Sequence, residues 1–206
     1  MEDNLLFENE LGSTSDVIFE EEDIGNGEKK MYFKGIFSEA NKVNGNKRIY
    51  SEKVLKEALE NALAESKRTG QKIFGEMEHA SNPKPNLDRV CCLFEDLHWD
   101  DSRKAIVGKC YPTSNDAGRN MASLAKDGFK INFSTRSTGK LKPYHGPLAE
   151  GMENVQEVCD NLKILSIDWV GCPSCDSARS ETVYEEKMVN EEVHNPTFKT
   201  VFDSLL

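Results

Sequence analysis

Two stretches of this 206-residue chain space their apolar residues at helical period, whereas most of the remaining apolar residues come in runs of strand length. Val54, Leu55, Ala58, Leu59, Ala62 and Leu63 make one apolar stripe, with Ser51 placed to cap its start and Thr69-Gly70 to stop it. Ala117, Met121, Leu124 and Ala125 share the face of a second helix, which Asp116 can cap and Gly128 can end. The strand-like runs are Lys30 to Phe37, the apolar stretch opening at Ile73, Val90 to Trp99, Ala105 to Tyr111, the run that delivers Ser134, Val155 to Val158, and Leu162 to Val170. Asp100 to Lys104 reads as a polar hairpin connection between two of them. Two helices inserted among six or more strands predict an α+β domain.

Charge divides the chain more sharply than hydropathy does. The net charge is -10, yet residues 1 to 28 alone hold ten acidic residues and no Lys or Arg, so the remaining 178 residues balance. This predicts an acidic N-terminal arm over 1–28, a folded domain over 29–178 and a polar, Glu-rich C-terminal tail over 179–206. A balanced body excludes a body-wide basic surface, so nucleic acid is not the expected partner. No apolar run approaches the ~18 residues of a membrane span, and the N-terminus lacks the basic flank and apolar block of a signal peptide. The reading is a soluble, intracellular chain, in which six cysteines (Cys91, Cys92, Cys110, Cys159, Cys172, Cys175) are reduced thiols and not a disulfide framework. Cys172-Pro-Ser-Cys175 has the spacing of a zinc knuckle, but a tetrahedral site needs a second close pair. Cys91-Cys92 are adjacent, which on a strand points their side chains to opposite faces.

Ile131-Asn132-Phe133-Ser134-Thr135-Arg136-Ser137-Thr138-Gly139 sets a hydroxyl at the polar end of a short apolar run. By itself Ser134 reads either as one of several hydroxyls in a solvated turn or as a nucleophile, and the second reading needs a base and oxyanion donors. Of the four histidines, His98 lies inside a strand-like run, His145 in a Pro/Gly loop and His194 in the polar tail. His79 leaves an apolar segment into a loop, as Ser134 does. Asp168, an acid inside an apolar strand, reads either as a residue on a solvated face or as the acceptor that orients the imidazole. There is no Gly-x-Ser-x-Gly elbow, no phosphate-binding glycine loop and no His-Glu-x-x-His helix.

Four segments in order give these residues a context. Val43-Asn44-Gly45-Asn46-Lys47-Arg48-Ile49-Tyr50, Phe74-Gly75-Glu76-Met77-Glu78-His79, Phe133-Ser134-Thr135-Arg136 and Asp168-Trp169-Val170-Gly171-Cys172-Pro173-Ser174 resemble segments of the prohead core protein proteases of T-even-type tailed phages. The resemblance spans about residues 30 to 178. It implies a serine endopeptidase similar to herpesvirus assembly proteases, with a β-barrel flanked by helices. Such an enzyme acts in the host cytoplasm inside the assembling prohead, on scaffold and capsid proteins, and needs no metal or organic cofactor.

Carried over by position, the resemblance places the catalytic histidine on His79 and the serine on Ser134. Asp168 is the third member on the argument above, since related assembly proteases use another residue type there. Arg136 would steady the backbone donors that hold the oxyanion. Thr135 stands where family members often have a second serine. The resemblance also implies a cleavage preference for an aliphatic residue two before a glutamate, with a small residue following. Leu148-Ala149-Glu150-Gly151 fits it in a loop, so Glu150 and Gly151 flank a candidate self-cleavage site, and Leu63-Ala64-Glu65-Ser66 fits it inside the first predicted helix. Two other readings of the chain are a non-catalytic capsid scaffold protein and a zinc-binding module built on the cysteines.

Overall fold

The computed structural model describes residues 4–6, 17–25, 28–81, 83–171 and 180–181. Its largest sheet takes its strands from both halves of the chain: β2 (Val17–Gly25), β3 (Glu28–Glu39), β5 (Phe74–Glu76), β6 (Val90–Asp100), β7 (Ala105–Pro112) and β12 (Ser180–Glu181), in the order β12-β2-β3-β7-β6-β5. All neighbours run antiparallel except β12 on β2. A second sheet, β1-β8-β11, joins β1 (Asn4–Leu6), β8 (Asn132–Gly139) and β11 (Lys163–Val170). A third and smaller one pairs β4 (Arg48–Ile49), β10 (Gln156–Val158) and β9 (Leu141–Pro143).

The two helices arise where the apolar stripes fall. The first, α1 (Glu52–Thr69), starts at Ser51, whose hydroxyl accepts from the Val54 N–H at 3.3 Å, and stops at Gly70, which is left-handed at φ 74°. It buries Val54, Leu55, Ala58 and Leu59 and packs against β11 and β7, but Leu63 near its end stands exposed. The second, α2 (Asp116–Lys126), lays Ala117, Met121 and Ala125 on β6. Its cap is Asn115, not Asp116: the Asn115 side chain accepts from the Gly118 N–H at 3.0 Å, and Asp116 sits in the first turn, where its charge suits the helix dipole.

The resemblance implied a closed β-barrel, and here the strands differ: among the described residues the three sheets stay separate and none closes on itself. Between the two larger sheets stands a cluster of edge-to-face rings, with Phe37 5.0 Å from Phe94 and 5.2 Å from Phe133, and Phe33 6.3 Å from Phe133. Rings of that size hold two sheet faces apart and fill the space with apolar contact. The edges meet only locally. Met77 makes a single parallel bridge to Trp169, and the Thr135 hydroxyl donates to the Phe37 carbonyl at 3.4 Å.

Strand pairing also cuts across the charge-based division at residues 28 and 178. β2 lies inside the acidic stretch and pairs with β3, setting Glu22 opposite Lys30 and Asp23 opposite Lys29. Glu22 further meets Lys34 at 2.7 Å and Lys109 at 3.1 Å, and these two cations hold its carboxyl below the usual range. The body is neutral on average, but its lysines gather where the acidic strand docks. β1 pairs with β8, and β12 lies past residue 178.

Candidate active site

Alternation along two paired strands assembles the site. In the antiparallel β8–β11 ladder Asp168 is directly opposite Ser134 and Ser166 opposite Arg136, so these four side chains stand on one face. The opposite face of β8 turns Phe133 into the aromatic cluster. A serine and an aspartate that look unrelated in sequence are thus cross-strand neighbours.

His79 comes from β5, which can lie against β11 because residue 75 is glycine. A Cβ at Gly75 would sit 2.2 Å from the Ile167 carbonyl oxygen and 2.7 Å from Cys92 Sγ. Beyond β5 the chain turns sharply through Glu78, at φ 60°, whose N–H donates to the Trp169 carbonyl at 2.7 Å and whose carboxylate accepts from the Gly171 N–H at 2.9 Å. The Arg89 side chain donates to the Met77 carbonyl at 2.9 Å, while the Met77 N–H donates to the Arg89 carbonyl at 2.8 Å. These bonds tie the turn to two neighbouring segments and fix where His79 leaves it.

The result is a three-membered chain of hydrogen bonds. His79 Nδ1 is 2.7 Å from Asp168 Oδ2, and Nε2 is 2.8 Å from Ser134 Oγ. An ionised carboxylate can only accept, so Nδ1 carries the proton and Nε2 is left to accept from the Ser134 hydroxyl. Asp168 is 0% exposed and Ser134 1%, and the His79 side chain retains 9%. The other Asp168 oxygen accepts from the Glu76 backbone N–H at 2.9 Å. Such an arrangement can move a proton from a hydroxyl to an imidazole and hold the resulting imidazolium against a carboxylate.

Arg136 occupies a place the sequence reading did not foresee. Its guanidinium is buried behind the triad and turned to carboxylates: it donates to Glu76 Oε1 at 2.7 Å and to Ser166 Oγ at 2.9 Å, and its Nε lies 3.2 Å from Asp168 Oδ2. A position two residues along a strand from Ser134 shares its face, which carries the side chain along β11 toward Ser166 and Asp168. Through these bonds it holds Ser166 and the Glu76 and Asp168 carboxylates. Glu76, fully buried, is the residue the sequence reading passed over. The signal that singled out Asp168, an acid inside an apolar strand, also fits Glu76 in Ile73-Phe74-Gly75-Glu76.

The other candidates lie apart from this cluster. His98 is exposed on β6 beside Asp96, His145 lies in the loop after β9, and His194, like Cys172 and Cys175, lies outside the described residues. Cys91, Cys92 and Cys110 are buried free thiols. Hydrogen bonding to Cys92, followed by burial, pushes the Cys91 thiol up; burial, followed by bonding to Cys110, does so for Cys92. Among the described residues no group of three or more His, Cys, Asp or Glu is placed to hold a metal ion, and no helix is long and apolar enough to cross a membrane. Leu148 and Glu150 are exposed, but Pro147–Ala149 forms a 3-10 turn with Ala149 tucked in. The Met152 N–H closes it onto the Ala149 carbonyl at 3.0 Å. The candidate cleavage site is therefore a structured turn, with Gly151 left-handed at φ 75°.

The mixed α/β fold has a counterpart among solved structures. The fold is similar to that of the bacteriophage T4 capsid assembly protease, with a TM-score of 0.70 at 23% sequence identity, covering 84% of this chain and 100% of that one. The model of the prohead core protein serine protease family matches residues 14–190, and the chain belongs to that family. No curated protein sequence matches it.

Proposed function

We propose that the chain is a serine endopeptidase that cleaves scaffold and capsid proteins while a phage prohead matures, acting inside the prohead in the host cytoplasm. The observation that carries the reading is the His79 ring bridging Ser134 and Asp168, 2.8 Å from one and 2.7 Å from the other. In the reaction it supports, Ser134 Oγ attacks the scissile carbonyl carbon as His79 Nε2 takes the hydroxyl proton. The C–N bond then breaks, the leaving amine takes that proton from His79, and an acyl-Ser134 ester remains. Water activated by the same imidazole attacks the ester and restores the hydroxyl. Asp168 holds the tautomer and stabilises the imidazolium in both halves. With Ser134 1% exposed, a scissile carbonyl reaches Oγ only once the residues over it are displaced.

A fluorophosphonate probe tests the reading directly: it is expected to label the wild-type chain and not Ser134→Ala. Labelling of both alike, or of neither after exposure to a peptide substrate that others of the family cut, rejects it. The same reading includes self-cleavage between Glu150 and Gly151, supported by the exposure of Leu148 and Glu150. Local opening of the 3-10 turn has to come first, because proteases bind extended chain. Cleavage there separates Asp168 from His79 and Ser134, so it also ends activity. Intact-mass spectrometry is expected to find pieces of 150 and 56 residues in wild type and none in Ser134→Ala.

A further inference from the structure

Behind the Ser134–His79–Asp168 chain lies a second set of buried polar groups that the reaction above does not use. Glu76 and Arg136 are 0% exposed and paired at 2.7 Å, and Ser166, equally buried, accepts from Arg136 Nε at 2.9 Å. That Nε also faces Asp168 Oδ2 at 3.2 Å, so one guanidinium is shared between two carboxylates from different strands. Glu76 reaches Asp168 a second time, through its backbone N–H on Oδ1. Of its own carboxylate, Oε1 takes Arg136 and the Asn86 N–H at 3.0 Å, and Oε2 is buried without a partner. Burying an acid with half its carboxylate unpartnered costs stability, so its presence beside Asp168 calls for a reason.

The charges supply one. Two carboxylates and one guanidinium leave one negative charge in a dry site while His79 is neutral, and none when it is an imidazolium. Without Glu76 the guanidinium would neutralise Asp168 itself, and protonated His79 would be left as net positive charge in the interior. We propose that Glu76 and Arg136 are positioning residues for the triad: Glu76 takes the charge of Arg136, so that Asp168 keeps its own for His79, while the pair and Ser166 fix the Asp168 carboxylate. This rests on the protease reading for its purpose but not for its electrostatics. The remaining ionisable groups nearby do not substitute for Glu76. The Glu78 carboxylate is engaged by the Gly171 N–H, Arg89 by the Met77 carbonyl, and the Cys91 and Cys92 thiols on β6 stay protonated.

The test follows the His79 ring by NMR across pH in a Ser134→Ala background, which needs no turnover. Adding Glu76→Gln, which keeps the volume and the backbone bond to Asp168, is expected to move the His79 titration midpoint down by about one pH unit. Glu76→Gln with Arg136→Met removes one charge of each sign and is expected to bring the midpoint back to that of the parent. In otherwise wild-type protein, Glu76→Gln should lower kcat about tenfold or more with KM held, and the double variant should recover part of the loss. A midpoint that does not move in Glu76→Gln overturns the inference. If Glu76→Gln does not fold, the double variant is expected to fold and titrate like the parent, and a double variant equally unfolded overturns the inference as well. A wild-type chain that titrates as described but cuts no peptide would instead reject the protease reading.

Discussion

Gly75 and the Ile167 carbonyl approach so closely that the smallest side chain at residue 75 would come within 2.2 Å of the oxygen. This contact lets β5 lie against β11, and β5 leads directly into the turn that presents His79 to Asp168 and Ser134. Gly75→Ala is therefore expected to push the two strands apart and lengthen both His79 hydrogen bonds. Its stability cost is about 1 to 3 kcal/mol, the range for overpacking a close-fitted site. Peptide hydrolysis should fall far more than the folded fraction does, which thermal melts read beside initial rates will show; a variant with wild-type activity would contradict the geometry.

His79→Ala and Ser134→Ala are each expected to abolish hydrolysis while leaving the far-UV circular dichroism and the melting transition nearly unchanged, since neither side chain belongs to the apolar core. Asp168→Asn should behave differently. It keeps the shape but leaves Arg136 facing an amide, and it can present an N–H where His79 needs an acceptor. A fall in kcat of roughly 10³- to 10⁴-fold is expected, together with a lower melting temperature that the other two variants do not share.

Deleting residues 1–28 is expected to destabilise the domain. The acidic charges in this stretch invite the view that it is a dispensable arm, but β2 pairs with β3 from Ile18 opposite Lys34 to Gly25 opposite Glu28, and β1 covers one edge of β8. Removing them bares two strand edges and leaves Lys34 and Lys109 without Glu22. Urea unfolding should show a lower midpoint for the truncated chain; an unchanged midpoint would restore the arm.

Cys91, Cys92 and Cys110 are expected to resist iodoacetamide at pH 8 in the folded protein and to react on denaturation, whereas Cys159, partly exposed after β10, reacts first. The sign of the pH effect follows from the raised Cys91 and Cys92 thiols. Folded protein holds their protons to higher pH than the unfolded chain does, so the stability they contribute is complete below the ordinary thiol range of about 8.5 and falls as pH rises through it. Peptide mapping after alkylation, paired with melts between neutral and alkaline pH, checks both statements.

Much of the local structure was legible in order along the chain, because local rules govern it. The stripe from Val54 to Leu59, the Ser51 cap and the Gly70 stop need only neighbours in sequence, and the structure builds α1 from them. The strand carrying Asp168 is equally plain from its apolar content, but β8 runs on through Ser134 to Gly139, so Ser134 stands inside a buried, mostly polar strand and not where an apolar run leaves into a turn. Each residue of the triad was singled out by a local oddity, a polar group where an apolar element ends or an acid inside one. What the sequence determines by itself is this set of elements, their periods and the residue types at their ends, since propensity, capping and period act over a few residues. The tertiary structure alone decided that Asp168 faces Ser134 across one ladder and that Gly75 brings His79 between them. It also decided that Arg136 donates to Glu76, that the strands form separate sheets around an aromatic cluster among the described residues, and that an acidic stretch folds against lysines far from it in sequence. Those outcomes depend on strand register, on which face of a strand is covered, and on where charges from distant segments meet, and these quantities come into existence only when the elements pack.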